Sequence, residues 1–144
     1  MVTKRERLER LGSVRLFEGL SKADLKYLDD ISVIVHHDAG HTIIGEGDRA
    51  AGFQLILEGE ARVVRGGRTV VRLGPGEFFG EMALIDEGPR TADVIAATPM
   101  TTLGISGWDF RPLVKRRPDM AWKLLVHLTG RLRESQKRED ALRA

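Results

Sequence analysis

Gly80-Glu81 and Arg90-Thr91, separated by a short stretch that ends in Pro89, are the residues of this 144-residue chain best suited to chemistry. Gly80 allows a tight backbone turn, and Glu81 to Asp86 is long enough for one or two helical turns. A helix start preceded by glycine presents free N–H groups and a partial positive charge, which suit an anion. Pro89 fixes the chain leading into Arg90, whose planar guanidinium can hold a phosphate by two parallel bonds. Thr91 adds a hydroxyl, and Ala92 a small side chain where backbone must come close. The carboxylate of Glu81 can accept from a sugar hydroxyl, so a ligand carrying both a phosphate and a sugar would satisfy the set. The same spacing equally lets Glu81 and Arg90 pair with each other across the loop.

Other chemistries fare less well. The chain has no cysteine, which excludes a disulfide scaffold, a thiolate nucleophile and a Cys-based metal site. His36, His37, His41 and Glu46 invite comparison with cupins, which hold a metal with His and Glu. Adjacent His36 and His37 on a strand point to opposite faces, however, so both cannot readily serve one ion. They read as surface or strand-edge histidines. No Ser-His-Asp order is present, so the expectation is no catalytic residue, no metal and no enzyme. No apolar run approaches the roughly 20 residues of a membrane span, and Met1-Val2-Thr3-Lys4-Arg5 lacks an apolar signal core. A soluble, cytoplasmic protein with no membrane partner is the simplest expectation.

The elements that must position these residues can be read from period and punctuation. Leu8, Leu11 and Val14 recur at helix spacing, Leu16–Leu20 reads as a turn, and Ser21 with Asp24 opens a second short helix that turns Leu25 and Leu28 inward. From Ile31 the period changes to two, through Val33 and Val35. Short strands follow at 43–44, 53–57, 61–64, 69–73, 93–97 and 101–105, separated by glycine-rich turns, with Gly66-Gly67 as a two-residue hairpin. Ser106 caps a helix starting near Gly107, and Pro118 sits near the start of a last helix running to about Glu139, with Ala121, Leu124, Leu125, Leu128 and Leu132 as one apolar stripe. Trp108, Phe110 and Trp122 read as packing groups that seat helices on the barrel. The fold class expected is α+β: an antiparallel β jelly-roll barrel flanked by N-terminal helices and a C-terminal helix pair. A single domain spans 1–144, with N-terminal helices at 1–30, barrel at 31–106 and C-terminal helices at 107–144.

The net charge of +2 hides an uneven distribution: residues 1–20 carry +2, residues 111–144 carry +6, and the middle carries −6. Arg111, Lys115, Arg116 and Arg117 cluster just before Pro118. A basic tail suits nucleic acid or an anionic surface, but also a solvated helix face, which is the simpler reading. Too few residues follow Leu132 for a helix-turn-helix, so no direct DNA binding is expected.

Phe79-Gly80-Glu81-Met82-Ala83-Leu84, followed by Pro89-Arg90-Thr91-Ala92-Asp93-Val94, resembles the phosphate-binding cassette (78–92) of the cyclic nucleotide-binding domains. These include the catabolite activators, protein kinase A regulatory subunits and nucleotide-gated channels. Leu16–Ser21, Gly40–Asp48 and Phe53–Glu60 are similar to further segments of that family. The resemblance implies that Glu81 binds the ribose 2′-OH and Arg90 the cyclic phosphate. The N–H donors come from Gly80, Met82, Thr91 and Ala92, with Phe79 and Ala83 inside the same motif. It places the base against Val63, Val71 and Leu73, of which Val71 and Leu73 share a strand face. It puts Arg131 on the last helix as a cap over the base, with Leu132 as an alternative contact; without the resemblance, Arg131 reads as a solvated arginine. The implied function is a stand-alone cyclic nucleotide sensor, cyclic AMP before cyclic GMP and without other cofactors. Binding moves the C-terminal helix, which meets an effector protein or a second copy of the chain. The alternatives are an interaction or dimerisation module of the same fold without nucleotide, and a small cupin-like metal enzyme.

Overall fold

In the computed structural model the described residues are 2–45, 52–80 and 92–143. Helix α1 (Lys4–Ser13) starts at Thr3, whose hydroxyl accepts from the Glu6 N–H, and stops at Val14, which is extended. A 3-10 turn (Arg15–Phe17) leads to α2 (Lys22–Ile31), capped by the Ser21 hydroxyl accepting from the Asp24 N–H at 3.1 Å. Ile31 therefore closes a helix and does not open a strand. Its spacing fits both periods, and packing against the core beside Leu28 decides for the helix.

The strands are β1 (Val33–His37), β2 (Thr42–Ile44), β3 (Phe53–Glu58), β4 (Ala61–Arg65), β5 (Arg68–Leu73), β6 (Phe78–Phe79), β7 (Asp93–Ala96) and β8 (Met100–Ile105). They form two antiparallel four-stranded sheets, ordered β1-β8-β3-β6 and β2-β7-β4-β5. This is the expected α+β jelly-roll arrangement, barrel-like but not closed. Gly66-Gly67 closes the β4–β5 hairpin, with Arg65 opposite Arg68. The two-residue strand β6 lies where a loop was expected and pairs with β3, Gln54 to Phe79 and Leu55 to Phe78.

The pleat divides the apolar residues into two cores. Phe53, Leu55, Leu57, Leu103 and Ile105 face the helices, and Ile56, Ala61, Phe79, Val94, Ala96 and Met100 fill the space between the sheets. The helix-side core is built on aromatic contacts: Phe17 meets Phe53 edge-on at 5.6 Å between centroids and Phe110 at 6.3 Å. The N-terminal layer is closed by a bidentate pair, Arg7 Nε to Asp29 Oδ1 at 2.7 Å and Nη2 to Oδ2 at 3.2 Å.

Helix α3 (Gly107–Arg116) is capped by the Ser106 hydroxyl as its sequence predicts, and α4 runs over Asp119–Arg143, past the expected end near Glu139. Met120 and Leu124 are buried and Leu128 is partly so, whereas Leu125 and Leu132 point to solvent. The expected stripe is thus split: the buried face follows 120, 124 and 128, and Leu125 lies about 100° around the helix from Leu124. Trp108 and Trp122 are 75% and 69% exposed and seat nothing on the barrel; Phe110, 1% exposed, does that work.

Gly59 turns the chain between β3 and β4 with φ +89°, and a Cβ there would lie 2.3 Å from the Pro99 carbonyl oxygen. Both the left-handed backbone and the backbone clash oppose any side chain. Gly59→Ala is expected to cost roughly 2–4 kcal/mol of folding free energy, measured as a lowered urea midpoint against the wild type.

Candidate functional site

Strand β6 delivers the chain to Gly80, whose φ of +78° lies in the left-handed region that glycine tolerates best. Glu81, Met82, Ala83, Arg90 and Thr91, like Glu46, lie outside the described residues. Those flanking them are in place: Phe79 is 5% exposed and faces the barrel interior, and Ala92 is 9% exposed.

The interior wall opposite Phe79 is apolar. Across the second sheet, Val94 sits opposite Val63 and Val63 opposite Val71, while Ala96 sits opposite Ala61 and Ala61 opposite Leu73. Val63, Val71 and Leu73 therefore share one face; alternation on β5 predicts this for Val71 and Leu73, and the pairing with β4 adds Val63. Val63 and Leu73 pack against the interior cluster, whereas Val71, on the edge strand, is 46% exposed.

The last helix reaches the site through β6. Phe78 faces the helices, its ring tilted against Phe53 at 5.1 Å and against His127 of α4 at 4.9 Å between centroids. A groove of about 530 Å³ between the 3-10 turn and α4 has Leu16, Phe78 and Val126 on its walls and Arg15, Lys123 and Arg131 among its charged residues. Lys123 Nζ donates to the Glu18 carbonyl, and Arg117 Nε to Asp24 Oδ2 at 2.8 Å, which ties the α3–α4 corner to the N-terminal helices. Burial pushes the Asp24 carboxyl up, but the bonds from Arg117 and Ser21 outweigh it and hold the group below 3.8. Arg131 thus shares a groove with the residue next to Phe79. Although its surface is exposed, the atoms crowding its guanidinium remove enough water to lower its pKa, helped by Arg65 and Arg138 and opposed by Glu134. Leu132 is 59% exposed.

The sheet that carries Phe79 also carries a polar row which sequence reasoning missed. His37 Nε2 lies 3.3 Å from Thr102 Oγ1, and the Thr102 hydroxyl donates to Gln54 Oε1 at 2.7 Å. His36 points the other way, as expected for neighbours on a strand, its Nδ1 3.1 Å from Thr101 Oγ1. His37 stands on an edge strand, as one of the two readings had it, but not at the surface: it is 9% exposed and stacks on His41 at 5.6 Å. Polar residues inside otherwise apolar strands, Gln54 in Phe53–Leu57 and Thr102 before Leu103, were the available signal. Among the described residues no three His, Asp or Glu side chains gather as metal ligands.

Residues 34–117 match the family model of the cyclic nucleotide-binding domain. The chain is 35% identical over 132 residues to the "Cyclic AMP receptor protein" of Thermus thermophilus, covering 88% of this chain and 61% of that one. It is 42% identical over 101 residues to a cAMP-dependent protein kinase regulatory subunit of Eremothecium gossypii, covering 68% of this chain and 22% of that one. The crystal structure of the Thermus thermophilus catabolite activator protein superposes with a TM-score of 0.80 at 34% identity, over 89% of this chain and 62% of the other. The chain thus spans about three fifths of the first relative's length and about a fifth of the second's.

Burial, with His41 and His36 nearby, lowers the His37 pKa below 6.5, and burial does the same to His127. The unfolded chain takes up protons near pH 6.5 that the folded one refuses. Stability is therefore full above that value and is lost as the pH falls from it toward the lowered native values. The urea midpoint is expected to be lower at pH 5.5 than at pH 7.5, and the difference to shrink in His37→Asn; an unchanged midpoint in the wild type would refute this.

Proposed function

Because the chain belongs to the cyclic nucleotide-binding domain family, we propose that it is a non-catalytic sensor, a single domain over 1–144 that binds cyclic AMP in preference to cyclic GMP. The observation that carries this reading is the family match over 34–117, read with β6, which feeds Gly80 from the wall of the barrel interior. The ring phosphate seats on Arg90 and on the N–H groups of Gly80, Met82, Thr91 and Ala92, and Glu81 takes the ribose hydroxyl. The base lies over Val63, Val71 and Leu73, with Arg131 and Leu132 closing from α4.

Coupling to α4 follows from β6. Phe79 lines the interior and its neighbour Phe78 touches His127, so a shift of this strand is felt by both. A ligand biases that equilibrium by its differential affinity for the two arrangements. The protein works in the cytoplasm in this reading; among the described residues no helix is long and apolar enough to cross a membrane.

The listener is an effector protein or a second copy. Trp122, Leu125, Val126 and Leu132 are all more than half exposed along α4, at spacings of three, four and seven residues that suit a helix–helix seam. This favours a homodimer through α4.

Titration calorimetry with purified protein tests the first reading: heat is expected with cyclic AMP, and none with either nucleotide at millimolar concentration would defeat it. Arg90→Ala is expected to weaken binding by roughly 2–5 kcal/mol, because it removes a charge-assisted bidentate contact. Light scattering tests the seam: a dimer is expected, reduced to monomer by Leu125→Glu, and a wild-type monomer at all concentrations would exclude it.

A further inference from the structure

A directed chain of hydrogen bonds interrupts the apolar lining of the barrel interior. Thr102, wholly buried, stands on β8 between Val35 of β1 and Ile56 of β3. Its hydroxyl has one proton, and that proton goes to Gln54 Oε1 at 2.7 Å. His37 Nε2, 3.3 Å from Thr102 Oγ1, is therefore the donor to that hydroxyl. Polarity runs from His37 through Thr102 into the oxygen of the Gln54 amide, which leaves the two N–H groups of Nε2 facing away from the chain.

Two features show where those N–H groups lie. The amide lies beside Gly104, with Nε2 3.8 Å from where a Cβ would stand, which places it over β8 at that position. Gln54 also pairs across β3 and β6 with Phe79, which places it at the end of the barrel where Gly80 emerges. Beside Gly104, Val33 is 63% exposed, so this end is open. Among the described residues no acceptor takes a hydrogen bond from Nε2. A half-buried amide with its oxygen anchored and its donors unused calls for an acceptor brought from outside.

We propose that Gln54 is a further ligand-contacting residue, its amide donating to a hydrogen-bond acceptor of the bound nucleotide, with Thr102 as the residue that positions it. This rests on the nucleotide-binding reading above. The acceptor is either on the purine edge or on the sugar-phosphate ring, and the two can be told apart.

The experiment is calorimetric titration of the full chain with cyclic AMP and cyclic GMP, for the wild type, Gln54→Met and Gln54→Glu, at pH 8 and pH 5.5. Gln54→Met, similar in shape but without donors, is expected to weaken binding about tenfold at both pH values. Gln54→Glu still accepts from Thr102 but donates only when its carboxyl is protonated. Its affinity relative to the wild type should be lost at pH 8 and partly recovered at pH 5.5, a pH profile that a purely structural role would not produce. A purine contact changes the ratio of the two nucleotides' affinities, whereas a sugar-phosphate contact weakens both equally. Thr102→Val, which keeps the amide but frees it, should lose less than Gln54→Met. Wild-type affinity for both nucleotides in either folded glutamine variant overturns the assignment, and so does unfolding of both variants in the cold, which would make Gln54 structural. If the wild type itself binds neither nucleotide, the nucleotide reading fails and this inference falls with it.

Discussion

The sheet β1-β8-β3-β6 has two apolar faces, and consecutive residues of a strand must point to opposite ones. Phe78 and Phe79 make that constraint local. One ring is held by Phe53 and His127 in the helix-side core, while the next closes the barrel interior. Close-packed cores do not deform independently when they share a wall this thin. Gly80, which follows Phe79, and the last helix, which meets Phe78, are thus joined through two consecutive residues of one short strand.

The helical layer is fixed to that wall by a few charged contacts of unequal worth. Arg7 grips Asp29 with two bonds, and the carboxylate side chain is only 4% exposed. Removing one partner of such a pair strands a buried charge and costs about 3–5 kcal/mol. The Arg5–Glu9 pair, at 90% and 68% exposure, is screened by water and contributes little. Asp24 stands between these cases, tying α2 to the α3–α4 corner through Arg117 while Arg116 lies over the Tyr27 ring at 4.9 Å.

What could be read from the sequence was what local chemistry determines. Ser21 and Ser106 announce their helices because a hydroxyl cap needs only the next three residues, and Gly66-Gly67 announces a hairpin for a similar reason. Val71 and Leu73 share a face by alternation, whereas the inward place of Val63 and Leu73 followed from the family resemblance and agrees with their packing on the interior cluster. Where tertiary packing decides, the pattern misled. Leu124, Leu125 and Leu128 form one stripe on paper, yet only the face through Met120 and Leu124 meets the core. Trp122 is large and apolar but sits on the other face. Strand β6 is too short to show a period. His37, Thr102 and Gln54 lie far apart in the chain, and no sequence pattern reveals that they meet. The roles of Glu81 and Arg90 came from resemblance to a family motif, since spacing alone left a mutual pair equally open.

Helix α4 is anchored near one end only. Its last buried residue is Leu124, and every residue from Thr129 to Arg143 is exposed. At 1.5 Å of rise per residue, the helix extends about 28 Å beyond Leu124. A tilt of about ten degrees at that anchor would swing Arg143 through an arc of about 5 Å. The exposed part of the helix is in effect a long lever on a short pivot, so that a small change of angle at its anchored end becomes a large displacement at its tip.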